Sequence, residues 1–176
     1  MFQVNYFDLF ELPERFQICE RTLKTRYHNL QKIYHPDRLH LRTSENIQSA
    51  CEKSAYINIA YKTLSNPLLR AIYCLKLKGY EWKDDRNVTL SSSFLMEQMS
   101  LREAIAELKE APSETELMAL KKTVSTHINE LTLAFQHFLE VVPIPYEDAS
   151  LCIQKMQFFS KLSSEIETLE TAVWAY

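Results

Sequence analysis

The chain has 176 residues, 46% hydrophobic and 24% charged, an ordinary globular composition for one domain or two small ones. A net charge of −3 argues against a nucleic-acid or membrane binder, and a single Gly argues against phosphate-cradling loops and tight glycine hairpins, leaving helices favoured. Cys19, Cys51, Cys74 and Cys152 form no CxxC pair, so no zinc ribbon or thioredoxin motif is expected; they read as reduced, mostly buried residues of a cytosolic protein.

The segment "NYFDLF" (5–10) fits a short first helix, with Pro13 soon after it. From Glu20 to Tyr34, Leu23, Tyr27, Leu30, Ile33 and Tyr34 recur at helical spacing. Arg21, Lys24, His28 and Lys32 form a basic stripe on the other side, and no acid interrupts residues 21–34. Pro36 disfavours a helical His35, so this helix ends near Tyr34 and a loop spans 35–44. A second long helix over about 45–65 carries Ile47, Ala50, Ser54, Ile57, Tyr61 and Leu64. Asn66 and Pro67 are a cap and a first-turn proline for the next helix, which Gly79 stops.

Residues 79–92 are polar and read as a linker between a domain at 1–78 and a second at 93–176. The composition then turns acidic, with six acids and two bases over 97–116. Ser113 and Glu116 make a capping box, followed by a stripe of Leu117, Leu120, Val124, Ile128, Leu131, Phe135, Phe138 and Val142 that ends at Pro143. A last helix over about 147–174 carries Cys152, Met156, Phe159, Leu162, Ile166, Leu169 and Val173. One short and two long amphipathic helices predict an antiparallel three-helix bundle in an all-α protein. The acids Asp8, Glu11, Glu14 and Glu20 fit neither a signal nor a transit peptide, and no apolar run reaches a membrane span.

Two features carry functional information. The first is "YHPDR" (34–38), a carboxylate at a helix-loop corner beside a row of cations. That arrangement suits an acidic protein partner with an exposed cation for Asp37 to engage. A plain solvated face and loop is the competing reading. A metal site at His28, His35 and His40 lacks ligand spacing, and a His35/Asp37 dyad lacks a nucleophile and oxyanion donors. The second feature is the helix beginning near Phe94. Phe94, Leu101, Ile105 and Leu108 share one face, whereas Leu95, Met96 and Met99 fall on the opposite one with Glu103 and Glu107. Either the second face is an adaptable binding surface, or both faces are buried, one in the bundle and one against the N-terminal domain. Phe158, at the edge of its own helical stripe, would border the same patch.

The triplet at the end of a basic helix, with "INIAYKTLSNPLLRAIY" (57–73) behind it, closely resembles the J-domain of DnaJ-type co-chaperones. "FLMEQMSLREAI" (94–105), in acidic helices directly after it, extends the resemblance over essentially the whole chain to the HscB family of iron–sulfur co-chaperones. The resemblance implies a J-domain that stimulates an HscA/DnaK-type chaperone ATPase. It also implies a C-terminal bundle that delivers the scaffold protein IscU, with no hydrolysis and no bound cofactor or cluster in this chain. By position, His35, Pro36, Asp37 and Arg38 would be the activating segment, and Arg21, Lys24, Arg26 and Lys32 the basic surface facing the chaperone. Leu95, Met96, Met99, Glu103, Glu107 and Phe158 match the scaffold-contacting positions. The family's common HPDK reads HPDR here, with its charge kept, and Ser100 stands where some relatives have an acid. The paired N-terminal cysteines of many eukaryotic members are absent, which points to a bacterial cytoplasmic protein.

Overall fold

A computed structural model describes residues 4–34, 44–84 and 90–174. The chain divides into two compact units, Met1–Glu81 and Trp82–Tyr176. All regular elements among the described residues are helices. None of them is long and apolar enough to cross a membrane.

The first unit holds α1 (Tyr6–Leu9), α2 (Glu20–Tyr34), α3 (Ser44–Ser65) and α4 (Pro67–Leu77). Asn5 caps α1, its side chain accepting from the Phe7 N–H at 2.9 Å. Helices α2 and α3 pair as a hairpin. The Tyr27 ring stacks on Tyr61 at 4.0 Å, and Asn58 Oδ1 accepts from Tyr27 Oη at 3.0 Å and Gln31 Nε2 at 2.6 Å. Beneath them Phe7, Phe10, Leu23, Ile57, Leu64 and Leu75 are buried. Each such side chain contributes about 2 kcal/mol of burial.

Several residues of the 57–73 stretch prove to be packing residues. Ala60, Leu64 and Ala71 are fully buried, and small residues at 60 and 71 leave room for their neighbours. Arg70 is buried too, donating from Nη1 to the Leu64 carbonyl at 2.9 Å, with its guanidinium over the Phe16 ring. Tyr73 Oη accepts from the Tyr6 N–H at 3.0 Å while its ring stacks on Tyr6, tying the N-terminal segment to α4. Asn66 caps α4, and Gly79 ends it at φ +82°. The Gly79 N–H reaches the Lys76 carbonyl and the Tyr80 N–H the Leu75 carbonyl, the paired bonds of a Schellman stop.

The second unit holds α5 (Ser92–Glu110), α6 (Glu114–Glu140) and α7 (Tyr146–Trp174). Its core interleaves Phe94, Leu101, Ile105 and Leu108 of α5 with Leu117, Leu120 and Val124 of α6 and Phe159, Leu162, Ile166 and Leu169 of α7. Ser113 caps α6 as its sequence predicts, accepting from the Glu116 N–H at 3.4 Å. Successive helices alternate direction, so α5 and α7 run parallel.

Several expectations are corrected. Ser91 and Ser92, in the stretch read as linker, begin α5 instead: Ser91 is its cap, accepting from the Phe94 N–H, and Ser92 is its first residue. Nearby Leu90 packs on the core of this unit, and Gln157 donates to Asp84 at 3.3 Å, so parts of the polar stretch belong to the bundle. Val142 is 92% exposed, because α6 ends at Glu140 and the helical stripe stops with it. Ile33 is 56% exposed, since it lies about 90° from the centre of the buried face of α2. The side chains of Ile47 and Val173 lie outside the described residues.

Of the cysteines, only Cys74 and Cys152 are buried, while Cys19 and Cys51 are exposed; all four are free thiols. Burial pushes the Cys74 thiol up to about 12 and the Cys152 thiol up to about 11, so neither supplies a thiolate near neutral pH. Among the described residues no cluster of His, Cys, Asp and Glu is placed to hold a metal ion.

Candidate partner interface

The basic stripe on α2 forms as its spacing predicts. Arg21, Lys24, His28 and Lys32 are exposed, on the side away from Tyr27 and Gln31, which face α3. His35, Pro36, Asp37 and Arg38, together with His40, lie outside the described residues. The structure therefore supplies the helix leading to that segment, which ends at Tyr34.

Arg26 is placed differently from the other cations. It lies about 140° around α2 from Arg21, off the stripe. Its Nη1 donates to the Phe10 carbonyl at 2.5 Å and to the Glu11 carbonyl, and it stands 3.9 Å from the Glu11 carboxylate. Glu11 has φ +49°, a left-handed conformation unusual for a side chain of its size. The guanidinium thus fastens the chain where it leaves α1. Arg26→Ala is expected to lower stability by about 1–3 kcal/mol, the range for removing charge-assisted hydrogen bonds from partly buried carbonyls. Lys24→Ala should stay within about 0.5 kcal/mol, as exposed substitutions usually do. Urea unfolding of the two variants checks this; equal midpoints would mean that Arg26 holds nothing.

On α5 the two faces separate cleanly. Phe94, Leu101, Ile105 and Leu108 are buried, while Leu95 is 46%, Met96 71% and Met99 63% exposed. Glu103 and Glu107 are exposed on the same side. Within this unit α5 buries one face only. Three large apolar side chains stand in water beside two carboxylates, an arrangement that suits a partner with apolar and cationic groups.

Phe158 joins this face from α7. It is half-buried, set edge-on to Phe94 at 5.8 Å and to Phe159 at 5.1 Å, with the Arg102 guanidinium 5.8 Å over its ring. Phe158 is thus a partly covered edge of the patch, and five of the six predicted positions are open.

A polar contact fixes the first turns of α5 and was not legible in the sequence. Glu97 Oε1 lies 3.0 Å from His127 Nε2 on α6. The imidazole in turn stacks on Phe159 at 4.7 Å and stands 3.7 Å from Glu130. Phe159 also touches Phe158, so one cluster positions both Phe158 and the turn that bears Leu95 and Met96. Lys109 and Glu165, 2.6 Å apart, tie the other end of α5 to α7.

The described residues thus hold a helical hairpin with a basic outer face and an acidic helical unit with an exposed Leu/Met patch. The comparisons with known proteins bear on these two features directly. The DnaJ domain model matches residues 5–73, and the model of the HSCB C-terminal oligomerisation domain matches residues 90–167. The solved chaperone HscB from Vibrio cholerae is 32% identical, with a TM-score of 0.80, over 97% of this chain and 99% of that one. The human co-chaperone protein HscB is 29% identical, with a TM-score of 0.84, over 98% of this chain and 85% of that one. This chain belongs to the HscB family. Membership brings with it a co-chaperone role in iron–sulfur cluster assembly and an Hsp70-type chaperone as the partner of the J-domain.

Proposed function

We propose that this protein couples an IscU-type iron–sulfur scaffold to the ATPase cycle of an HscA/DnaK-type chaperone. The first unit engages the chaperone through Arg21, Lys24 and Lys32 and the segment His35 to Arg38. The second engages the scaffold through Leu95, Met96, Met99, Glu103, Glu107 and Phe158. The observation that carries this reading is the divided α5 helix, with one face consumed by the core and the other left exposed, apolar and acid-flanked.

The mechanism is linkage rather than chemistry within this chain. A ligand shifts an equilibrium only through different affinities for its two states. Asp37 would bind the chaperone arrangement competent for hydrolysis more tightly than the other and so raise its population. The scaffold is brought to the same chaperone molecule on the second unit, which raises its local concentration there. The bond that breaks is in the chaperone's nucleotide; this protein hydrolyses nothing and needs no cofactor. Any cluster travels on the scaffold as cargo. The four free thiols fit a reducing compartment, in keeping with the bacterial cytoplasm expected for this chain.

A second reading keeps the J-domain role and makes the Met-rich face a general receptor for unfolded chains, since flexible thioethers adapt to many surfaces. Competition separates the two. The scaffold should displace a labelled copy of itself, whereas a panel of unfolded apolar peptides at equal concentration should not. Equal displacement by the peptides would favour the general receptor.

A further inference from the structure

Leu95 and Met96 stand in the opening turns of α5, where a helix ordinarily frays. The cap holds only the first of these turns. Ser91 accepts from the Phe94 N–H with its side chain at 3.3 Å and from the Leu95 N–H with its carbonyl at 3.0 Å. Beyond the cap the hold comes from the side. Glu97 lies about 160° around α5 from Leu95, away from the exposed face. Its Oε1 is 3.0 Å from His127 Nε2 on α6. Another ionic tie of α5, Lys109 to Glu165, comes twelve residues later and steadies the opposite end.

His127 reaches the same turns by a second route. Its ring lies nearly parallel to Phe159, at 4.7 Å and 13°. Phe159 meets Phe94 at 6.0 Å and Phe158 at 5.1 Å, and Phe158 meets Phe94 at 5.8 Å. One imidazole thus touches residue 97 of α5 through a carboxylate and residue 94 through a ring. Its other nitrogen stands 3.7 Å from Glu130, one turn along its own helix. Both routes run behind α5, on the side turned from Leu95.

We propose that His127 is a positioning residue of the client face: without touching the client, it holds the opening turns of α5 through Glu97 and Phe159, so that Leu95 and Met96 are presented already in place. This rests on the reading of that face as scaffold-binding. A face formed for only part of the time binds more weakly in proportion to that fraction. Forming it beforehand removes part of the ordering that binding otherwise requires. The contact is specific to the pair, because a phenylalanine at 127 keeps the stack on Phe159 and loses the polar contact with Glu97, whereas a glutamine keeps a polar group for Glu97 and loses the stack.

Amide hydrogen exchange on the free full chain, followed by calorimetric titration of the IscU-type scaffold, tests this with His127→Phe, His127→Gln, Glu97→Ala and the double variant His127→Phe, Glu97→Ala, beside Met96→Ala. In His127→Phe the amides of residues 94–99 are expected to exchange about two- to five-fold faster, the size of a partly exposed ionic contact, while those around Ile166 keep native protection. Scaffold affinity should weaken by up to the same factor. Glu97→Ala should behave alike, the double variant should be no worse than either, and His127→Gln should recover part of the loss. Native exchange at 94–99 in His127→Phe, or equal loss of protection around Ile166, would show that His127 holds nothing or is an ordinary packing residue, and overturns the proposal. Native affinity of His127→Phe while Met96→Ala is weakened overturns it alone. If Met96→Ala also binds like the native chain, the reading of the face fails and the proposal fails with it.

Discussion

Asp37→Asn is expected to abolish stimulation of the chaperone ATPase while leaving the helical fold intact. The substitution removes one charge and changes almost no volume. The segment follows α2, which spans Glu20–Tyr34. The fold of this unit rests on the buried Leu23, Ile57, Leu64 and Leu75, and the carboxylate of Asp37 is proposed to act on the partner instead. Its worth would lie in a charge-assisted contact to a cation on the chaperone, which an amide cannot replace at full strength. Where that contact is the source of differential binding to two chaperone states, losing it removes the population shift itself. Circular dichroism should match the native chain, and single-turnover ATP hydrolysis should fall to the unstimulated rate. Stimulation at the native level by Asp37→Asn would contradict the role given to this segment.

The second large effect is expected from the combined substitution Leu95→Ala, Met96→Ala and Phe158→Ala. Leu95 and Met96 are exposed in the free protein, so truncating them leaves the core of the bundle untouched. Buried against a partner, a cluster of this kind is a hot spot, and its loss weakens scaffold binding by about 3–5 kcal/mol, or between about a hundred-fold and several thousand-fold. Phe158 has a second role, because it packs edge-on against Phe94 and Phe159. Part of its effect would then come through stability, and the pair Leu95→Ala and Met96→Ala isolates the surface term. Calorimetry with the scaffold reads both variants; affinity equal to that of the native chain would reject this face.

How much was legible in the sequence follows from where each interaction partner sits. The two faces of α5 could be read because both core and surface positions obey one period within one helix, and Leu101 and Met99 sort without knowledge of anything else. The basic stripe of α2 was legible for the same reason. Arg26 was not, because its partners are backbone carbonyls at 10 and 11, sixteen and fifteen residues earlier, in a turn with a left-handed residue. Sequence distance hides such a contact, although the angular offset from the stripe was a signal that this cation does something else. Ser91 was masked by its neighbours: three serines in a row satisfy a linker and a helix cap equally well, and only the Phe94 N–H decides between them. Arg102 and His127 depend on the register between helices, which periodicity within one helix does not carry. The seven-residue step from Arg102 to Lys109, matched by that from Phe158 to Glu165, was the available clue.

The two proposed surfaces would also account for the chain having two units. A J-domain alone would activate a chaperone without choosing its client, and a client-binding bundle alone would choose without activating. Ionic contacts link the second unit's helices at their exposed edges, Lys121 to Glu170 at 2.7 Å and Lys109 to Glu165 at 2.6 Å, and the apolar face of α5 stays exposed beside them. The central claim is that both surfaces act on one chaperone. The most direct measurement is the ATPase rate of the cognate chaperone with this protein alone, with the scaffold alone and with both. The account predicts stimulation by this protein and a further, more than additive rise when the scaffold is present. A chaperone rate unchanged by this protein, or a combined effect no greater than the sum of the two, would contradict it.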